Sequence, residues 1–332
     1  MLLISNLCLG VQTIIESAAG EVPLPAAPGI VLRHTITVDT MCHMDSGLDR
    51  KPGGTVRRSV VLGGGGVPGT AWMTGLAAEL RRRGIDLGSA GSIVGTSAGA
   101  IVGAALSTGR DLDSFADHQG RPGVESRPRM KPELLGSVFS LLFDPSLDRD
   151  VARRKVGQLA MAEEPAQPEH LEPMEWLVGG SDWPERLRVV VVDAESGERR
   201  VWDNGSGVPL ATAVSASRAL PGAFPPVVVA DRYYIDGGVW STTNADVAAG
   251  SDLLVVIEPL AHMVSRDRLR TELTDTSGTV VQFGPDADMI DVSKAYAADP
   301  LASWPEAFRH GVRRAESLAQ LLLDAGWPTP RR

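Results

Sequence analysis

One pentapeptide, Gly95-Thr-Ser-Ala-Gly99, has the composition of a sharp turn that exposes a reactive serine. It follows Ser92-Ile-Val94, which predicts a short strand, and precedes small residues at 98–106 that predict a helix. Glycine on either side of Ser97 removes side chains that would block such a turn, and a helix N-terminus favours developing negative charge. The pattern therefore predicts Ser97 as a nucleophile. The alternative is an ordinary strand-to-helix turn in which a serine or threonine only caps the helix.

A serine hydroxyl needs a base, and the sequence offers two kinds. Among the six histidines, only His310 lies late enough, on a predicted helix, to complete a Ser-Asp-His order. Asp236 follows a short predicted strand and precedes Gly237 and Gly238, which let another backbone segment come close. The alternative for Asp-Gly is a simple turn. The residues alone leave both bases open.

A glycine-rich segment, with glycines at 63–66 and 69, joins a predicted strand at 59–62 to a predicted helix at 70–83. Such a loop exposes backbone N–H groups that bind anions. A dinucleotide would suit the spacing of Gly64, Gly66 and Gly69, but the next predicted strand ends in the serine motif instead of an acidic residue. An oxyanion hole needs a nearby nucleophile, which the chain supplies 31 residues after Gly66. We therefore favour the oxyanion hole.

The elements around these loops predict a parallel α/β sheet, because strands alternate with helices. Further strands are predicted at 187–193, 200–202, 252–257 and 279–283, helices at 209–220 and 308–323, and a hairpin at 227–235 with its turn at Asp231 and Arg232. The net charge of −9 argues against a dedicated nucleic-acid binder. Cys8 and Cys42 are too few for a disulfide framework or a zinc site, and we predict no metal and no cofactor.

The composition of the chain changes near residue 57. Residues 1–56 alternate short apolar stretches with proline, glycine and charge, which predicts a loosely ordered extension or a true start near Met41 or Met44. No Lys or Arg precedes Arg33 and polar residues interrupt the apolar start, so we expect no signal peptide and a cytoplasmic protein. The sequence contains no run of 18 apolar residues, so we expect no membrane-spanning helix.

Residues 110–185, rich in charge and proline, predict a less regular insertion or cap.

The glycine-rich loop, the serine motif and the later Asp-Gly-Gly, in this order, resemble the patatin-like phospholipases. Residues 215–226 and 236–246 resemble the segments that precede and extend the family's aspartate motif. The resemblance covers roughly residues 57–325, which would form one catalytic domain. It implies a three-layer α/β/α fold with a mostly parallel central sheet. It also implies hydrolysis of lipid acyl esters by a Ser–Asp dyad instead of a triad.

The family's pattern implies a role for each matching residue. Ser97 would accept the acyl group, and Asp236 would take its proton and later activate water. The N–H groups of Gly64, Gly65 and Gly66 would form the oxyanion hole. The supporting glycines of the three motifs are Gly63, Gly69, Gly95, Gly99, Gly237 and Gly238. Burial would raise the pKa of Asp236 and help it accept a proton, and no histidine would be required.

Pro68 departs from the family's pattern, which has Arg or Lys just before the last glycine of the loop. The donors upstream remain, so we still expect hydrolysis, but the case for phospholipids as the specific substrate is weaker. The alternative is a non-catalytic lipid-binding or regulatory domain of the same fold. The expected partners are a lipid or ester substrate and, transiently, a membrane surface. The sequence predicts neither the acyl chain, nor the head group, nor the oligomeric state.

Overall fold

The computed structural model describes residues 56–116, 130–178, 182–295 and 303–329. The predicted N-terminal extension lies outside these residues, apart from residue 56, and so does part of the predicted insertion. The described residues form an α/β/α arrangement around a single sheet.

Eight strands of the described chain form one mixed sheet with a parallel centre. They are β1 Arg58–Leu62, β2 Ser92–Thr96, β3 Leu187–Asp193, β4 Arg199–Trp202, β5 Val227–Val229, β6 Arg232–Asp236, β7 Leu253–Ile257 and β8 Thr279–Phe283. The order is β5-β6-β3-β2-β1-β7-β8, and β4 also pairs with β3. The strands β4 and β6 run antiparallel to β3, whereas β3, β2, β1, β7 and β8 run parallel.

The central strands are continuous apolar runs because both faces of the sheet are covered. All five residues of β7 are buried. Since successive side chains point to opposite faces, Val60 and Leu62 of β1 belong to the larger core and Val61 belongs to a smaller core on the other face. The predicted α/β class and its mostly parallel sheet are confirmed.

Nine helices of the described chain cover the sheet. They are α1 Gly66–Arg82, α2 Ala98–Ser107, α3 Pro132–Phe143, α4 Arg149–Met161, α5 Pro168–Val178, α6 Leu210–Ser217, α7 Arg266–Glu272, α8 Ala287–Ala295 and α9 Ser303–Asp324. The larger core lies beneath α1, α2, α6 and α9. The opposite face is covered by α7, the turn Ala245–Ala248 and the pair α3 and α4. Among these helices, none combines the length and the apolar character that crossing a membrane requires.

Three helices, α3, α4 and α5, occupy the segment that we expected to be less regular. Val138 of α3 and Val156 of α4 pack with Val192 of β3 and Ile235 of β6. The helix α5 packs against α6 and α2. The described part of this segment is therefore integrated into the layers that cover the sheet.

Some element boundaries differ from those predicted. The helix α1 begins at Gly66, so that Pro68 lies in its first turn, where a missing N–H removes no intrahelical hydrogen bond. The helix α9 begins at Ser303, five residues before its predicted start. The β5–β6 turn lies at Ala230 and Asp231, which both have positive φ, and not at Asp231 and Arg232.

Candidate active site

The turn between β2 and α2 holds Ser97 in a strained backbone conformation. Its φ of 55° and ψ of −115° lie in a region that residues with a side chain rarely adopt. The turn is tight because α2 packs directly on β1, where a β-carbon at Gly99 would overlap the carbonyl oxygen of Leu62. Ser97 is half-buried at the N-terminus of α2, where the helix dipole favours negative charge. This is the geometry of a nucleophile elbow.

A buried serine to which the sequence motifs gave no role fixes the backbone of this elbow. The N–H of Ser97 donates to Ser217 Oγ at 2.9 Å, and the Ser217 hydroxyl donates to the carbonyl oxygen of Val190 at 2.7 Å. Since its N–H is engaged, Ser97 does not offer that hydrogen to a substrate. The sequence did contain a signal that could have pointed to Ser217, because this residue lies within residues 215–226, the stretch that resembles the family.

The carboxyl ends of β2 and β6 meet at one edge of β3, and this brings Asp236 to Ser97. The strand β2 pairs with β3 up to Val190 and β6 pairs with it from Val191 onwards, while β4 occupies the other edge. The Ser97 hydroxyl lies close enough to the Asp236 carboxylate to lower the pKa of that carboxylate. The N–H of Gly238 donates to Asp236 Oδ1 at 2.6 Å and fixes the orientation of the carboxylate.

Burial changes the acidity of Asp236, whose exposed fraction is 4%. Desolvation raises the pKa of Asp236 to about 6, and the Gly238 N–H, the Ser97 hydroxyl and the positive charge of Arg218 oppose it. The raised pKa makes the carboxylate a stronger base that is still ionised at neutral pH. Arg218 lies over the ring of Phe224, with its guanidinium carbon 3.8 Å from the ring centre.

The glycine-rich loop lies beside the serine, since a β-carbon at Gly64 would be 3.7 Å from Ser97 Cβ. The N–H of Gly63 donates to the carbonyl oxygen of Ile257 at 2.9 Å, and the N–H of Gly64 donates to that of Thr242 at 2.8 Å. The Gly64 hydrogen is therefore already used within the protein. This geometry does not support the donor role that we expected for Gly64.

The next two glycines of the loop are placed differently. Within the described residues, no acceptor contacts the N–H groups of Gly65 and Gly66. Gly65 is half-buried and Gly66 is exposed, so a bound substrate could reach both. Gly66 has a φ of 58°, a conformation that glycine adopts without strain, and it opens α1. These two N–H groups at a helix N-terminus can stabilise an oxyanion.

The supporting glycines share one property, which is that an added β-carbon would come within 3.0 Å of a neighbouring atom. They are Gly63, Gly69, Gly95, Gly99, Gly237 and Gly238.

Asn244 is a second buried residue to which the sequence motifs gave no role. Its Nδ2 donates to Thr96 Oγ1 at 3.0 Å and to the carbonyl oxygen of Ser241 at 2.6 Å. Asn244 has a φ of 59°, which asparagine tolerates better than most residues. It thereby connects the segment after Asp236 to the residue that precedes Ser97.

The alternative base, His310, faces a different carboxylate. It is buried on α9, with Nε2 3.1 Å from Asp286 Oδ1. Burial lowers the pKa of His310, and the negative charge of Asp286 opposes this effect. The structure thus brings Asp236, and not His310, to the hydroxyl of Ser97. In the part of the chain that the structure describes, no cluster of His, Cys, Asp or Glu is suited to hold a metal ion.

Sequence comparison finds proteins of the NTE family that are similar to this chain. Uncharacterized NTE family proteins from Mycobacterium bovis and Mycobacterium tuberculosis are 29% identical over 203 residues, which is 60% of this chain and 48% of theirs. The chain therefore spans about half the length of these curated relatives.

Solved structures with a similar arrangement are more distant in sequence. VipD from Legionella pneumophila is 14% identical over 81% of this chain and 75% of its own, with a TM-score of 0.36. The complex of SpcU with ExoU from Pseudomonas aeruginosa matches at 18% identity, over 83% of this chain and 54% of the matched one, with a TM-score of 0.35.

The family model for patatin-like phospholipase matches residues 60–249, which is more than half of the chain. The matched region contains the glycine-rich loop, the elbow with Ser97 and the strand that ends at Asp236. The chain belongs to the patatin-like phospholipase family.

Proposed function

We propose that this protein is a serine acyl hydrolase that cleaves carboxylic ester bonds of lipids, with Ser97 as nucleophile and Asp236 as base. Membership of the patatin-like phospholipase family supports lipid hydrolysis in general. The observation that most supports this dyad is that the hydroxyl of the strained Ser97 lies beside a buried carboxylate whose pKa is raised to about 6.

The first half-reaction would form an acyl-enzyme. Ser97 Oγ attacks the ester carbonyl carbon while its proton passes to Asp236. The carbonyl oxygen becomes an oxyanion and accepts hydrogen bonds from the N–H groups of Gly65 and Gly66. When the tetrahedral intermediate collapses, the carbon–oxygen bond to the leaving alcohol breaks. The alcohol takes the proton from Asp236, and the acyl group stays on Ser97.

The second half-reaction would return the free enzyme. A water molecule attacks the acyl carbonyl carbon as Asp236 takes one of its protons. The same two glycine N–H groups stabilise the second oxyanion. The bond to Ser97 Oγ then breaks, the proton returns from Asp236 to Ser97, and the carboxylic acid leaves. One carboxylate serves both steps because the raised pKa lets it accept and release a proton near neutral pH.

Pro68 does not weaken this mechanism. It is buried in the first turn of α1, two residues after the last of the proposed donors. It does remove the basic side chain that other family members place there, so we propose lipid or simple esters as substrates without a preference for anionic head groups. A transient contact with a lipid surface and a cytoplasmic location stay predictions.

Active-site labelling tests this function against the non-catalytic alternative. We expect a fluorophosphonate probe to label the folded protein at Ser97, which peptide mass spectrometry locates, and we expect turnover of p-nitrophenyl esters. The label should be absent from Ser97→Ala. A folded wild-type protein that neither takes the label nor turns over any ester or lipid of a broad panel would favour a binding or regulatory domain.

Replacing His310 separates the dyad from a Ser-Asp-His triad. We expect His310→Ala to keep kcat within about threefold of wild type, because the imidazole faces Asp286. Its thermal unfolding temperature should fall, since the substitution leaves a cavity in the buried face of α9. Kinetics are therefore measured well below that temperature. A correctly folded His310→Ala protein that turns over ester about 100-fold more slowly than wild type would contradict the dyad.

A further inference from the structure

A buried hydrogen bond joins two segments that flank the glycine-rich loop. Thr243 Oγ1 donates to Glu258 Oε1 at 2.8 Å, and both side chains are buried, with 4% exposed in each residue. The other oxygen of Glu258 accepts from Arg266 Nη1 at 2.9 Å. This hydrogen bond connects the segment after the aspartate motif to the residue that directly follows β7.

The glycine-rich loop is hydrogen-bonded to the same two segments. The N–H of Gly63 donates to Ile257, the neighbour of Glu258, and the N–H of Gly64 donates to Thr242, the neighbour of Thr243. The bond between Thr243 and Glu258 therefore joins the two residues that neighbour these acceptors. A β-carbon at Gly63 would lie 3.0 Å from the Thr242 oxygen, so the fit leaves little room for displacement.

The proposed donors lie next to these hydrogen-bonded glycines. Gly65 comes directly after the two anchored glycines, and a β-carbon there would lie 2.7 Å from Pro259 Cβ. Pro259 in turn follows Glu258. Both sides of the loop are thus set by residues next to the hydrogen-bonded pair. Oxyanion stabilisation is sensitive to small displacements of the donors, because its energy depends on hydrogen-bond geometry.

We infer that Thr243 and Glu258 are positioning residues for the oxyanion hole. They set where the N–H groups of Gly65 and Gly66 lie without touching the substrate. Because the oxyanion forms only during the reaction, the pair affects kcat and leaves substrate affinity almost unchanged. This inference rests on the proposed hydrolase function and deepens it.

The test compares Thr243→Val, which has nearly the same shape without the hydroxyl, with Thr243→Ser, which keeps it. We expect Thr243→Val to lower kcat about 10- to 100-fold with KM within about twofold, and Thr243→Ser to stay within about threefold of wild type. The pH midpoint of the rate should stay near 6 in both, because Asp236 is unchanged. Fluorophosphonate titration to completion counts active sites, so that kcat is expressed per functional site.

Thr108→Val is the matched control. It also removes a partly buried threonine hydroxyl, whose single hydrogen can go to the carbonyl oxygen of Ala104 or to that of Val178. Thr108 directly follows α2, at the end of the helix that is distant from the elbow. The control variant should lower the unfolding temperature and leave kcat per active site unchanged.

Three outcomes would overturn the inference, and they are distinguishable. If Thr243→Val has the wild-type kcat per active site while Ser97→Ala is inactive, the hydrolase function stands and the positioning role is wrong. If Thr243→Val lowers the number of active sites and the unfolding temperature together, and changes nothing else, the pair has a structural role alone. If wild-type protein shows no turnover that depends on Ser97, the proposed function fails and this inference fails with it.

Discussion

Replacing Ser97 with alanine is expected to lower kcat for ester hydrolysis by at least about 10³-fold, to the level that the remaining site supports. The hydroxyl is the only group of the proposed dyad that can bond to the acyl carbon, so its loss removes the acyl-enzyme pathway. Substrate binding does not require that hydroxyl, so KM should change much less. The measurement is steady-state kinetics on a short p-nitrophenyl ester and on a lipid panel analysed by mass spectrometry.

Ser107→Ala is the control for this variant. Ser107 is the last residue of the helix that Ser97 precedes, and its buried hydroxyl makes no hydrogen bond among the described residues. The same substitution there should leave the rate unchanged. If Ser97→Ala retained the wild-type rate while folded, the observed hydrolysis would come from another site and the dyad would be wrong.

Replacing Asp236 with asparagine is expected to have opposite effects on activity and stability. Activity should fall by about 10³-fold or more, because asparagine cannot take the proton of Ser97. In the wild-type protein kcat/KM should rise with pH through a midpoint near 6, since the ionised carboxylate is the active form. The variant's residual rate should lack this midpoint.

The stability effect follows from the direction of the pKa shift. Because burial raises the pKa of folded Asp236 from 3.8 to about 6, the folded state binds this proton more tightly than the unfolded state does. The resulting stabilisation is fully present below about pH 4 and is lost as pH rises to about 6. Asp236→Asn, which carries no charge, should therefore be more stable than wild type at pH 8, by up to about 3 kcal/mol, with little difference at pH 4. Urea unfolding at both values measures this.

Asp193→Asn is a matched control, because the pKa of Asp193 is shifted in the opposite direction to that of Asp236. Asp193 is also buried on the sheet, and its burial alone would raise its pKa. Hydrogen bonds from Ser196 and the ion pair with Arg232 outweigh burial and lower the pKa of Asp193. Asp193→Asn should therefore be less stable than wild type at neutral pH. If Asp236→Asn were destabilised in the same way, the raised pKa of Asp236 would be wrong.

The sequence by itself determined the kind of fold and the candidate groups. Alternating strand and helix patterns predicted an α/β sheet, and the structure has it, because apolar runs such as Leu253–Ile257 can be buried only between two covering layers. The motif around Ser97 predicted a strand-to-helix turn, and the turn is there. These are local properties, since glycine placement and apolar periodicity act within a few residues.

Tertiary structure decided which of these groups meet. The choice between His310 and Asp236 could not be made from the residues, because it depends on β6 ending beside β2 at the same edge of β3. Antiparallel pairing of β6 with β3 is a long-range contact, and no local pattern around Asp236 specifies which strand β6 will face.

Tertiary structure also decided which glycine donors are free. Gly64 and Gly65 look alike in sequence, but the N–H of Gly64 meets the carbonyl oxygen of Thr242 and the N–H of Gly65 meets no protein acceptor among the described residues. The residues that arrange this, Thr243 and Glu258, belong to segments far from the loop along the chain. Whether a backbone N–H can stabilise an oxyanion depends on what else it can reach, and only the packing of distant segments determines that.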